Sequence, residues 1–156
     1  LVNTYGAFGT ISRERHEVVI EGTDDATVTP TTDWRPYEFK GKPGDPGRRP
    51  PQVAPYHLRL DWLMWFAALS PAYAEPWLPR LAAKLLEGDE ATLRLLHRRG
   101  NPFPEHPPTF VRARLFRYRY TTRGERRADG AWWVRTEEGI YLPPVRRAPE
   151  ATAGRP

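Results

Sequence analysis

The sequence contains no cysteine, which excludes a disulfide framework, a thiolate metal site and thiol redox chemistry carried by this segment. Serine is nearly missing too. Ser12 and Ser70 are the only two, and neither lies in a Gly-x-Ser-x-Gly elbow, which argues against a hydrolase built on that nucleophile. Lysine is scarce: of 24 basic residues only Lys40, Lys42 and Lys84 are lysines, so planar arginine forks, suited to bidentate carboxylate contacts and aromatic stacking, carry the positive charge. No apolar run approaches the ~20 residues that a bilayer demands, and the longest, Leu60 to Leu69, is broken by Asp61. The opening residues, Leu1-Val2-Asn3-Thr4-Tyr5-Gly6, have neither the basic nor the apolar part of a signal peptide and read as a cut through a longer chain. Phosphate-binding fingerprints are missing as well, because neither Gly6 to Gly9 nor Gly44 to Gly47 has the lysine or the strand-turn-helix context that such loops require.

What is present is an ordinary globular balance in 156 residues, 39% hydrophobic and 28% charged, enough for one domain with a real core. Eighteen prolines keep the regular elements short. The net charge of +5 is unevenly placed: residues 109 to 156 hold eleven basic and five acidic side chains, so the whole excess sits in the last third.

Residues 3 to 23 are predicted as β structure, with His16, Val18 and Ile20 on one face and Arg15, Glu17, Val19 and Glu21 on the other, the pattern of a half-buried antiparallel strand. Trp34 to Lys40 is expected as a second strand with Tyr37 and Phe39 inward, and Pro36 places it at an edge or near its start. Residues 41 to 55, with five prolines and three glycines, can hold neither helix nor ladder and should present Arg48 and Arg49 stiffly and in the open. The period then changes. Leu58, Trp62, Trp65 and Leu69, widened by Leu63 and Phe66, predict a helix over Tyr56 to Leu69 that is buried nearly all round and ends at Ser70-Pro71. A second helix is expected from Glu75-Pro76 to Glu87, stopped by Gly88, and a third from the Asp89 cap through Arg99, the two forming an αα-hairpin. After the proline-rich loop 101 to 108, Phe110 to Thr122 returns to strand periodicity. Its apolar face switches near Leu115-Phe116, which predicts a bulge or a passage between two packing environments. Asp129-Gly130 then turns the chain into Ala131 to Thr136, and Ile140 to Leu142 ends before Pro143-Pro144, making a long hairpin. The expected fold is α+β: a mainly antiparallel sheet or sandwich from the N- and C-terminal strands, a helical insertion at about 57–99, one domain over 1–145 and a disordered tail over 146–156.

His57 and Asp61 stand at i, i+4, a spacing open to a metal or an acid–base pair, but no further ligand type lies at metal spacing nearby. The favoured reading is structural, with Asp61 beside two tryptophans expected to take an arginine fork from the loop or the sheet. Arg112, Arg114, Arg117 and Arg119, interleaved with Phe116, Tyr118 and Tyr120, match the stacking-plus-phosphate surface of single-strand nucleic-acid binders. They match equally a sheet face whose arginines pair with Glu17, Glu21 and Glu38, and that reading is preferred.

Several segments together resemble one family. They are Asn3 to Gly9, Val19-Ile20-Glu21-Gly22-Thr23, Tyr37 to Asp45, Arg48-Arg49-Pro50, the long block Pro55 to Ala68, Asn101-Pro102-Phe103, Val111-Arg112-Ala113, Tyr118-Arg119-Tyr120, Trp132-Trp133 and Tyr141 to Val145. In order and content this is similar to the lipase maturation factor family. Relatives often carry cysteine where this chain reads Phe39-Lys40-Gly41-Lys42, so no thiol role transfers. The resemblance implies a non-enzymatic folding or assembly factor that assists maturation of a secreted lipase. It implies the soluble part of an integral membrane protein, covalently continuous with a membrane-spanning region, in the endoplasmic reticulum of eukaryotic relatives. The arginine bias points to a bacterial membrane here. Arg48, Arg49, Tyr56, His57, Asp61, Phe103 and Arg112 are the expected partner-binding or loop-positioning residues, with Trp62 and Trp65 as core beneath them. A client protein is the expected partner; no catalytic residue, cofactor, metal, nucleic acid or small-molecule substrate is expected.

Overall fold

The computed structural model describes residues 14–52 and 58–147. Their strands, β1 (Glu14–Thr23), β2 (Arg35–Pro36), β3 (Phe110–Tyr120) and β4 (Trp133–Arg146), form one antiparallel sheet of order β2-β1-β3-β4. Between β2 and β3 the chain makes α1 (Arg59–Leu69), α2 (Leu78–Glu87) and α3 (Glu90–Leu93), and α4 (Arg123–Asp129) lies inside the β3–β4 connection. The fold is therefore α+β, with a helical insertion packed on one face of a mainly antiparallel sheet, as expected. The strand anticipated over residues 3 to 13 and the tail beyond 147 lie outside the described residues.

Sheet order decides burial. β1 lies between β2 and β3, so it is buried on both sides from Glu17 to Thr23 rather than half-buried. Val18 and Ile20 join Val111 and Ala113 against the helices, in a core completed by Met64, Ala67, Leu81, Leu85 and Phe39. On the opposite face Val19, Phe116, Tyr118 and Trp133 make a second, smaller cluster. β3 supplies both, and the irregularities in its register with β4 between Val111 and Phe116 fall where its apolar side changes over. The switch anticipated near Leu115-Phe116 is thus both a bulge and a change of packing environment.

The helices follow their apolar spacing where packing agrees. In α2, Leu78, Leu81, Ala82, Leu85 and Leu86 make one buried stripe, and Gly88 closes the helix at φ 68°. α1 departs from expectation. Only Asp61, Met64 and Ala67 are buried, because the helix lies on a single sheet face and turns one side to it. Trp62, Trp65 and Phe66 form an outer aromatic cluster with ring centroids 4.9 to 5.4 Å apart. Trp62 is 36% exposed, so Met64 and Ala67 build the core beneath, not the two tryptophans.

The third helix is a single turn instead of ten residues. Asp89 caps it as predicted, accepting from Thr92 N at 2.9 Å. Beyond it the backbone pairs elsewhere: His97 N donates to Glu38 O and Glu38 N donates to Gly100 O, both at 2.9 Å. Two interstrand-type bonds and a buried Leu96 outweigh continued helix. At the far end β4 runs through Pro143 and Pro144, which an edge strand tolerates because its outer N–H groups need no partner.

α4 carries a complete capping box. Thr122 accepts from Glu125 N at 3.2 Å while the Glu125 carboxylate accepts from Thr122 N at 2.8 Å and from Arg119. The Arg119 guanidinium, helped by that N–H, holds the Glu125 carboxyl down at about 2. A carboxyl below its ordinary range contributes stability above pH ~4.5 that is lost as pH falls toward 2. We expect the Glu125 side-chain carbonyl to titrate near that value by NMR, and Arg119→Gln to move it upward; a midpoint near 4.5 in both proteins would refute the pairing. Gly100 offers a second test, because a Cβ there would collide with the carbonyl oxygens of Glu38 and His97. Gly100→Ala should cost about 2–3 kcal/mol in urea unfolding.

Candidate functional site

The loop after β2 is irregular over residues 41–52, but it is held in place rather than presented freely. Asp61, in the first turn of α1, accepts from Gly41 N at 2.6 Å and Lys42 N at 2.9 Å through Oδ1. The expected arginine fork is absent because two backbone donors already claim this carboxylate. Its Oδ2 is buried with no hydrogen-bond partner. Arg48 also turns inward, donating to Phe39 O and Lys42 O at 2.7 Å each and lying 3.5 Å from Glu38. Glu38 Oε1 accepts from Asp45 N at 2.9 Å, and its carboxylate fills the space where a Cβ on Gly44 would stand.

From the helical layer the loop passes to the opposite face. There Tyr118 Oη donates to Gly44 O at 2.7 Å, and burial raises this phenol above its ordinary range so that it remains a donor. Lys42 swings under the sheet, 3.2 Å from Glu17, whose other oxygen lies 2.5 Å from Arg15. Glu17 is fully buried and Lys42 3% exposed at the side chain. These approaches lie outside hydrogen-bond angles, so charge rather than directional bonding holds the group together. A charge embedded in the Val-rich run of β1 is the signal in the sequence that a partner had to exist.

Where loop and helix meet, Arg15, Gly41, Lys42, Leu58, Trp62 and Trp65 line a cleft of about 280 Å³ with Asp61 in its wall. It joins an apolar indole side to a charged side that is already internally paired. Such a cleft suits an apolar or amphipathic side chain of another polypeptide. Among the described residues no three His, Cys, Asp or Glu side chains come together as a metal-holding group, and no helix is long and apolar enough to cross a membrane.

The expected site residues do not converge. Tyr56 and His57 lie outside the described residues. Asp61 and Arg48 brace the loop. Arg49 is exposed, its guanidinium 5.6 Å from the Trp132 ring centre. Phe103 is not an exposed contact aromatic: it is 5% exposed, stacked by Arg35 at 4.1 Å and next to Tyr37. Arg112 stacks on Trp34 at 4.0 Å and donates to Glu21 at 2.9 Å, on the sheet face away from the helices. Arg114 shares Glu21 and reaches Glu137, Arg117 meets Glu14 and Glu138, and Arg119 meets Glu125. All four strand arginines are therefore paired with carboxylates, but of the three expected partners only Glu21 is among them; Glu17 takes Arg15 and Lys42, and Glu38 takes Arg48. Arg15, Lys42 and the outward-facing indoles of α1 were not picked out as cleft residues from sequence.

Removing Glu17 would strand Lys42 and Arg15. Glu17→Ala should cost about 3–5 kcal/mol, whereas Glu17→Ala combined with Lys42→Met should recover much of that loss. A double variant no more stable than the single one would show that the pair is not coupled.

The chain matches the family described as "Lipase maturation factor C-terminal domain" over residues 1–143. It is 51% identical to Lipase maturation factor 1 of Bos taurus over 150 residues, covering 94% of this chain and 26% of the relative. The corresponding human protein is 49% identical over 93% of this chain and 26% of its own length. Human Lipase maturation factor 2 is 40% identical over 93% of this chain and 20% of its own. No solved structure matches. The chain spans about a quarter or less of the length of these relatives, and it belongs to the lipase maturation factor family, in the part that forms the C-terminal domain.

Proposed function

We propose that this chain is a client-binding module that assists maturation of a secreted lipase by surface contact, without a covalent step. The observation that carries this reading is the cleft of about 280 Å³ between α1 and the loop, walled by Trp62 and Trp65. Indoles flanked by paired charges are the composition of an interface hot spot, where a few aromatic anchors supply most of the binding energy. The loop beside them is pre-organised by Asp61 and Arg48, which lowers the ordering cost of association. The relatives' names, lipase maturation factors, support a lipase as the client. The same relatives, about four to five times longer than this segment, support its being the soluble part of a larger membrane protein of the endoplasmic reticulum or, in a bacterium, of the cell membrane.

Structure changes which residues the test should address. Arg48 is a brace, so its removal would disturb the loop itself; Trp62, at 36% exposure, is the side chain to truncate. With melting temperature matched to the parent, Trp62→Ala should weaken binding to a partly folded secreted lipase about 30-fold, read by fluorescence anisotropy, and lower the yield of active lipase on coexpression. Unchanged affinity and yield would remove the cleft from the client interface.

A further inference from the structure

Most arginines of the sheet are neutralised locally. Those of β1, β2 and β3, and Arg48 of the loop, each have a carboxylate within 4 Å. Arg49, Arg123, Arg126 and Arg127 have none among the described residues, and they gather at one end of the sheet. Residues 123, 126 and 127 stand at i, i+3 and i+4 on α4 and so share one helix face. The Arg126 guanidinium lies 3.2 Å from the centre of the Trp132 ring and Arg49 reaches the same ring, so the loop and α4 meet over one indole. Trp132 N donates to Pro46 O at 2.8 Å, tying the two segments at that point. Glu125 is consumed by Arg119 and by the cap. Asp45, the acid nearest Arg49 in the sequence, already accepts from Gly47 N.

We propose that this end of the sheet, Arg49 with Arg123, Arg126 and Arg127 of α4, docks on the anionic headgroups of a phospholipid bilayer. Three features favour a charged lipid surface over a nucleic acid. Trp132 is engaged by Arg49 and Arg126, and Trp133 is stacked on Tyr120 at 4.1 Å, so these rings are not open platforms for bases. The guanidinium groups sit on a helix face and a turn, while the clefts between helices and sheet are lined by other residues. Tyr120, 57% exposed beside them, is an amphipathic ring of the kind that settles at headgroup level. The inference is independent of the client reading, because it uses no residue of the α1 cleft.

The test is partition of the whole chain onto phosphatidylcholine vesicles with and without about 30 mol% phosphatidylserine, at about 0.1 M salt. Binding should be at least about tenfold stronger on the anionic vesicles and should collapse at about 0.5 M salt. Arg123→Gln with Arg127→Gln, which leaves the Arg126–Trp132 stack intact, should lower that partition on the order of 20-fold. The same charge change at exposed Arg98 and Arg99 should alter it by less than about twofold, the reduction expected of a distant, screened site. If the α4 double variant fails to fold, the salt and lipid dependence of the parent protein still decides the matter. Equal partition onto neutral and anionic vesicles, an equal loss in the Arg98/Arg99 variant, or tighter binding to single-stranded oligonucleotide or polyglutamate than to anionic vesicles would overturn the proposal.

Discussion

A carboxylate with no access to water organises this domain. Glu17 sits in one of the two inner strands of the sheet, and an ionised group there is tolerable only with cations brought to it. One of them, Lys42, comes from a loop that must therefore pass from the helical layer to the far face of the sheet. Every bond that holds the loop supports that crossing: Asp61 at its start, Glu38 and Arg48 across its middle, and the Tyr118 hydroxyl at Gly44. The rigidity that a proline-rich segment has by composition is converted into a defined path by these few polar contacts. The cleft beside it exists because α1 and the loop are tied at Asp61 while the indoles of α1 turn outward.

The same loop explains how one strand can serve two cores. β3 gives Val111 and Ala113 to the helices and Phe116 and Tyr118 to the loop side, and its register with β4 slips between them. The helix-side cluster is much the larger, and each closes one face of a single sheet. Stability is thus spread over a helix-covered face and a loop-covered face, and the charged pairs of Glu21 with Arg112 and Arg114 lie on the second of these.

Much of this was legible in the residues. The antiparallel sheet, the existence of the second helix, the Gly88 stop, the Asp89 cap and the side-switch in β3 all follow from period, turn chemistry and alternation. Local signals failed where a distant partner outbid them. The segment after α3 left its helix to pair with Glu38, and the helical pattern of α1 could not tell that only one side meets the sheet. α4 was missed although Thr122, Glu125 and Gly130 spell a capping box and a left-handed stop, because arginine-rich polarity hid a seven-residue helix with no buried side chain. Of the residues expected to bind a partner or position the loop, Arg48 and Asp61 hold loop backbone and Phe103 is buried, an assignment that residue type alone left open. Sequence names a fork, a carboxylate or an aromatic ring; only the fold decides whether it faces solvent or a neighbouring backbone.

The scarcity of lysine has a bearing on covalent modification. Lys42 is sealed beneath the sheet and Lys40 Nζ donates to Arg94 O, which leaves Lys84, half exposed near the end of α2 and paired with Glu87, as the most exposed primary amine among the described residues. Acylating reagents and ubiquitin-conjugating enzymes, which attack amines and ignore guanidinium groups, would therefore find this domain almost inert and would mark it chiefly at one place, on the helical side.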